Sequence, residues 1–536
     1  MDSVEDIANS IIPSKVEFTM DEFNQAIKKL KRNKAPGIDN ISAEHVIFSG
    51  HNLRRLLLLL LNSMLSSGHI PESFLRGIII PIHKGKGKSV SDPGNYRGIT
   101  LSTTFCKLVE TLLKPTVTQC LEEFDVPDEL QHGFQEDHFC SLTAISLNFI
   151  VENNTKSKKP TYAAFLDAAK AFDTVWHTGL MYKLYHLGVT GMTWYIIFKL
   201  YSGLKSTVYW NNQISQWFPV NQGVRQGGIL SPLLYLVYID GLIKRLRFSG
   251  AGCCTLGRYV GTLVLADDVV LLANTEQELN EMLAIVHSYS THWHYSINPL
   301  KSAVVVHNDR ATQGIRVWKF GNDVIPEKDS HPHLGVQRAS KRTDNRCHNI
   351  MQIGSKTLYS LTGSGAKRRG LSPPILAVLW DVFCVPRMLY GVEIINLLKG
   401  ETSTLDKYQN QVFKTLLGLP KTTSSAAINL LTGLAPLSTC VDLMHLRLLG
   451  KLLVLPPSRV ESRLFYHTLC QHPNAPTLKR LKVILAKYNL PDLTQCCSES
   501  YTYQAWEIVV HDIAFSAIRL SSAEISSIWR YIVNFE

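Results

Sequence analysis

Two adjacent aspartates, Asp267 and Asp268, constrain this chain more than any other feature. They stand between two apolar runs, Gly261-Thr262-Leu263-Val264-Leu265 and Val269-Val270-Leu271-Leu272. Apolar, β-branched flanks of this length read as two strands of a hairpin with the acids at its tip. Asp suits tight turns, so an Asp-rich turn accounts for the dipeptide taken alone. Side by side on an apolar sheet, however, two carboxylates repel, and burial raises the cost; a divalent cation relieves both. Asp167 strengthens the second reading. It ends the strand Thr161-Tyr162-Ala163-Ala164-Phe165-Leu166, apolar up to the carboxylate. A strand end and a hairpin tip on one sheet make a three-carboxylate site. Such a site can hold two hard cations, which activate a hydroxyl nucleophile and stabilise departing pyrophosphate.

The rest of the chain builds a scaffold in which strands and helices interleave. Thr19 and Glu22 form a capping box for a helix carrying Phe23, Ile27 and Leu30 at helical spacing. A second helix covers about 53–66. Residues 77–82 form a strand that runs into a basic loop, His83-Lys84-Gly85-Lys86-Gly87-Lys88. Helices are expected at 102–123, 138–153, 177–187, 191–202, 229–247 and 276–294, a hairpin around Asn211-Asn212, and a strand at 302–306. Beyond about 340 the pattern is helical: 346–365, 374–398, 403–418, 424–433 and 438–455, then an uninformative helical stretch. A chain of 536 residues exceeds one hydrophobic core. With 45% hydrophobic and 18% charged residues it is globular rather than disordered. Its net charge of +11 favours a polyanionic partner. The longest leucine run, Leu56 to Leu61, falls far short of a bilayer span. The acidic start, MDSVEDIANS, lacks the basic and apolar regions of a secretory signal. The expectation is a chain of the nucleus or cytoplasm, neither secreted nor membrane-bound. The eleven cysteines, with no Cys-x-x-Cys spacing, read as reduced thiols.

A third motif follows, Gly223-Val224-Arg225-Gln226-Gly227-Gly228-Ile229-Leu230-Ser231-Pro232. Its glycines permit close backbone approach to a ligand, and Pro232 suits the first turn of the next helix. In order along the chain stand KAPGIDNISAEH, IIPIHKGKG, NYRGITL, QHGFQ, FLDAAKAFDTVWH, GVRQGGILSP, LADDVVLLA, INPLKSAVVV and HLGV. With these strings the chain resembles the reverse transcriptases of non-LTR (LINE-like) retrotransposons, over residues 20–340 and more loosely to about 455.

The resemblance implies an α/β chain with an α+β palm: a right-hand polymerase with fingers, palm and helical thumb, followed by a helical C-terminal region. The expected divisions are a leader (1–20), fingers with an N-terminal extension (21–160), palm (161–340, within a core of about 75–340), helical thumb or connection (341–455) and a C-terminal region without an assigned role (456–536). Asp167, Asp267 and Asp268 would bind two Mg²⁺, with Mn²⁺ as a substitute, Asp167 and Asp268 being the expected bridging ligands. Phe172 falls where the family places a steric gate against the ribose 2′-hydroxyl. Arg97 and Lys84 match fingers residues that reach the incoming triphosphate, with Lys86 and Lys88 competing for the role of Lys84. Gln226 and Gly227 would lie against nucleotide and template. Lys301 matches a lysine that protonates pyrophosphate, and Leu334-Gly335 the primer-grip hairpin. Asp173 reads as structural, pointing away from the metals. The implied partners are an RNA template, a DNA primer or target and dNTPs, with no protein partner indicated.

The chain departs from the family pattern at Leu265, where Tyr or Phe usually precedes Ala-Asp-Asp. Neither an endonuclease nor a Cys/His knuckle is visible, so target cleavage is not expected and a partial reading frame is. Two other readings use the same residues. One is a catalytically silent, nucleic-acid-binding remnant. The other is an RNA-dependent RNA polymerase, against which Phe172 speaks.

Overall fold

The computed structural model describes residues 3–518 apart from 86, 310–315, 342–344, 369 and 499–501. Lys86 and the last part of the C-terminal region therefore lie outside the described residues.

A four-stranded antiparallel sheet forms the centre, in the order Ala303–His307, Thr161–Asp167, Asp268–Ala273, Thr262–Leu265. Thr161 to Leu166 are all buried. The strand shows no polar alternation because helices and the 330–339 hairpin cover the sheet. Helices Cys140–Lys156, Ser231–Ser249 and Glu276–His292 pack against it. A second, five-stranded sheet is built from strands within residues 76–219. Its strand Arg76–His83 pairs antiparallel with Tyr96–Leu101 and parallel with Lys205–Trp210.

Most expected elements form where their apolar spacing placed them. The Thr19–Glu22 capping box opens helix Met20–Lys28, and the two aspartates sit at the turn of the 262–273 hairpin. Four differences have physical causes. The expected leader contains a helix, Val4–Ser10, capped by Ser3 and Asp6, with Val4, Ile7 and Ala8 buried in the main core. Residues 16–18 then bind helix His51–Ser67 through Ser66 and Asn62. Strand Tyr96–Leu101 was not expected, because its alternation is broken by Gly98. The single helix expected over 374–398 ends early. Pro373–Leu379 passes through a π turn, Trp380–Cys384, into the short helix Val385–Met388. Pro386 has no N–H to donate and its ring crowds the preceding turn, so the helix widens there and soon stops. Finally, the C-terminal helices, which had no assigned place, pack back onto the main core. Residues from Cys347 to Val441 form a second apolar core, whereas Leu443 to Val510 join the first. Helix Val460–Gln471 lies along Cys140–Lys156. Among the described residues no single helix is long and apolar enough to cross a membrane.

Candidate catalytic site

The sheet register brings the acids together. Asp268 is the direct cross-strand partner of Asp167, and on its other side of Leu265. Directly opposed residues of antiparallel strands project to the same face, their Cβ atoms about 4.5–5.5 Å apart. Leu265, Asp268 and Asp167 thus form one row across the sheet, with Asp267 at the adjoining turn. Leucine takes the place of the family's aromatic beside the acids and leaves the row apolar at that end.

Each acid is fixed by its backbone. The Asp167 N–H donates to Ser302 Oγ at 3.1 Å, and its carbonyl accepts from the Asn298 N–H at 2.8 Å. The hairpin turn holds Ala266 at φ +58°, a conformation that favours glycine. Gln131 stabilises it: the Ala266 N–H donates to Gln131 Oε1 at 2.8 Å. A Cβ on Gly133 would lie 2.3 Å from the Ala266 nitrogen, so only glycine permits this approach. His132 and Leu130 complete the attachment through backbone bonds to Val264. The QHGFQ string is therefore a brace for the turn that carries Asp267 and Asp268.

The electrostatics agree with a cation site. Burial, then the charges of Asp267 and Asp167, push the Asp268 carboxyl from 3.8 up to about 6. Asp267 is also raised, chiefly by burial, with Asp167 adding to the shift and Arg97 opposing it. Lys301 Nζ stands 3.9 Å from Asp167 Oδ2 on an exposed side chain. One loose lysine and a more distant arginine leave three clustered acids under-neutralised, and an all-oxygen donor set fits a hard divalent ion.

The remaining expected residues fall into two groups. Lys301 and Arg97 act directly on the acids, and Phe172, Gln226 and Gly227 are tied to the elements beside them. The Gln226 carbonyl accepts from the Thr100 N–H at 2.7 Å. Gly227 has φ +123°, and a Cβ there would meet the Thr100 carbonyl at 2.8 Å. The glycine-rich loop thus lies flush against strand Tyr96–Leu101, which carries Arg97. Gln226 Nε2 donates to Asp173 Oδ1 at 2.9 Å, so Asp173 positions Gln226. Glu110 accepts from the N–H groups of Ile229 and Leu230, closing the loop onto helix Ser231–Ser249. Phe172 stacks on Tyr235 at 4.9 Å and 13°.

Further out lie Lys84 and the 330–339 hairpin. Lys84 Nζ donates to the Gly94 carbonyl at 2.8 Å, turned onto its own hairpin loop. Leu334 and Gly335, at φ +50° and +76°, make the two-residue turn between Ser330–His333 and Val336–Ala339. This hairpin packs over Phe165 through His331 and His333. Phe165 lies on the same face as Asp167, one pleat repeat away. Buried Arg338 ties the hairpin to Asn148 and the Ala144 carbonyl.

Gln131, Gly133, Glu110 and Tyr235 had no role assigned from sequence, and Asp173, read there as structural, holds Gln226. QHGFQ was visible as a string, but its function is a contact with a distant turn. Among the described residues the group whose ligand atoms all lie within 4.8 Å of one another is a separate one, His132, His138 and Glu461, not the three aspartates. Arg459 already binds both Glu461 oxygens, at 2.7 and 3.1 Å, so the cluster's one carboxylate is neutralised within the protein. The cluster instead joins the C-terminal helices to the QHGFQ brace.

A carboxylate row on an antiparallel palm sheet, closed by the second sheet and a glycine-rich loop, defines a right-hand polymerase fold. Residues 82–337 match the family described as "Reverse transcriptase (RNA-dependent DNA polymerase)". The chain is 27% identical to the "RNA-directed DNA polymerase from mobile element jockey" of Drosophila melanogaster, over 75% of this chain and 44% of that one. The jockey protein of Drosophila funebris is 25% identical over the same shares. The "Probable RNA-directed DNA polymerase from transposon X-element" of Drosophila melanogaster is 30% identical over 75% of this chain and 46% of its own. The chain spans less than half the length of each of these relatives.

Proposed function

We propose that this chain is the RNA-directed DNA polymerase of a retroelement, adding dNTPs to a primer 3′-hydroxyl on an RNA template. The observation that carries the reading is the cross-strand pairing of Asp167 with Asp268, with Asp267 at the adjoining turn. Asp167, Asp267 and Asp268 would hold two Mg²⁺, or Mn²⁺ in their place. The ions would supply activation of the 3′-hydroxyl and charge neutralisation at the leaving pyrophosphate.

The protein's own residues do the positioning. Arg97 offers a planar guanidinium to triphosphate oxygens. Gln226, held by Asp173, and Gly227, flush with the fingers strand, form the wall against which the base pair rests. The Phe172 ring occupies the space a 2′-hydroxyl would need. Lys301, beside Asp167, is placed to give a proton to departing pyrophosphate, with Lys84 a further phosphate contact at the fingers tip. The Leu334-Gly335 turn, anchored over Phe165, holds the primer strand. Behind Gly227 opens a groove of about 1450 Å³ lined by Lys29, Lys31, Lys34, Lys107 and Lys114. Arg247 and Arg258 also line it, against five carboxylates, Glu122, Asp125, Asp128, Glu129 and Glu136, so the groove is modestly basic, and its lysine side suits the phosphates of a template strand.

The test is primer extension by purified protein on a primed RNA template with dNTPs and Mg²⁺. Templated extension is expected, together with its loss in Asp268→Ala at unchanged template binding. Binding without extension by the wild type would instead favour the silent, nucleic-acid-binding remnant.

A further inference from the structure

The gate residue does not stand alone. The Phe172 ring is held between two others. Tyr235, from helix Ser231–Ser249, stacks beneath it at 4.9 Å and 13°. Phe134, from the QHGFQ brace, meets it edge to face at 5.7 Å and 77°. Its backbone is held as well, the Phe172 carbonyl accepting from the Val224 N–H at 2.8 Å. Three separate segments therefore converge on one half-buried phenylalanine.

The two flanking rings differ in ways that bear on their purpose. Tyr235 is fully buried, and the face of its ring is what it presents to Phe172. Phe134 is 52% exposed, so packing does not account for it. It also sits at φ +57°, a conformation that bulky L-residues avoid and that structures retain mainly where function over-determines it. Gln131 maintains this bend by accepting from the Gly133 N–H at 2.8 Å. An exposed aromatic held in a strained backbone, edge-on to Phe172, is a positioning device.

A steric gate discriminates only if it cannot yield. An unsupported phenylalanine beside a cleft can turn about χ1 and admit the larger sugar. One ring beneath and one at the edge remove that freedom.

We propose that Phe134 and Tyr235 are specificity-determining positioning residues that clamp Phe172, so that sugar discrimination belongs to the three-ring cluster. This rests on the polymerase reading above and extends it to residues outside the catalytic motifs.

The test compares kcat/KM for a dNTP and its matching rNTP on one primed RNA template. Wild type, Phe172→Ala, Phe134→Ala, Tyr235→Leu, Tyr235→Phe and the Phe134→Ala/Phe172→Ala double variant are measured. Phe134→Ala and Tyr235→Leu should each lower the dNTP preference by roughly tenfold, the scale of one aromatic pair. The change should come through a lower KM for the rNTP. Tyr235→Phe keeps the ring and should keep the preference. In the double variant, Phe134→Ala should add nothing to Phe172→Ala, because its effect passes through that ring. Phe134 is exposed, so its variant remains informative if Tyr235→Leu fails to fold. Unchanged preference in Phe134→Ala while Phe172→Ala loses it would overturn the clamp. Unchanged preference in Phe172→Ala would overturn the gate and the clamp together. A wild type that extends no primer would overturn the polymerase reading itself.

Discussion

Replacing Asp268 with asparagine should make the metal-free protein more stable while removing its activity. Burial and two neighbouring carboxylates raise the Asp268 carboxyl from 3.8 to about 6. A shift of roughly 2 units, at about 1.4 kcal/mol each, makes the ionised form cost about 3 kcal/mol in the folded state. Below about pH 4 the group is protonated both folded and unfolded, and there is no penalty. Between pH 4 and 6 the unfolded chain loses the proton while the folded chain keeps it, so stability falls as pH rises. Above about pH 7 the full penalty applies. An asparagine side chain has the shape of the aspartate without its charge. Thermal melts in EDTA should therefore show Asp268→Asn above wild type by several degrees at pH 8 and level with it near pH 4. Saturating Mg²⁺ should raise the wild type, because a ligand that binds only the folded state stabilises it, and should raise the variant much less. Equal or lower stability of Asp268→Asn at pH 8 without metal would refute the clustered-charge account of the site.

Three further expectations follow from named contacts. Arg97→Ala should raise the dNTP KM by about ten- to a hundredfold, the scale of a lost charge-assisted hydrogen bond, in steady-state extension. Gly133→Ala puts a Cβ 2.3 Å from the Ala266 nitrogen; it should displace the Asp267-Asp268 turn, lower stability in thermal melts by about 1–3 kcal/mol and depress extension without weakening RNA binding. Lys301→Ala should slow single-turnover incorporation by about a hundredfold, as loss of a general acid does, with little change in dNTP binding.

Local chemistry made the acids legible. A charge at the end of an apolar run, as at Asp167, or between two such runs, as at Asp267-Asp268, is visible without any partner. Their pairing across the sheet is not, since Asp167 and Asp268 belong to distant strands whose register depends on tertiary contacts; the family strings supplied that step. The helices were legible from their apolar period and caps, as at Thr19 and Glu22. Strand Tyr96–Leu101 and the strands of the 330–339 hairpin were not. Gly98 breaks one alternation, and Ser-His-Pro-His supplies none. The supports of the site were the least legible. Gln131 accepts from a turn far along the chain, Asp173 orients Gln226, and Tyr235 is a core-type residue on an apolar helix. Nothing in their neighbours' identities indicates these partners. The return of the C-terminal helices to the polymerase core was likewise hidden, because an apolar helical stretch does not specify which core it will join.

The most direct test of the carboxylate site is a count of bound Mn²⁺ by electron paramagnetic resonance on the wild type with primer, RNA template and a dNTP, beside Asp167→Asn and Asp268→Asn under the same conditions. The account predicts two tightly bound ions in the wild type and a loss of tight binding in both variants. Binding that persists unchanged in both would contradict it.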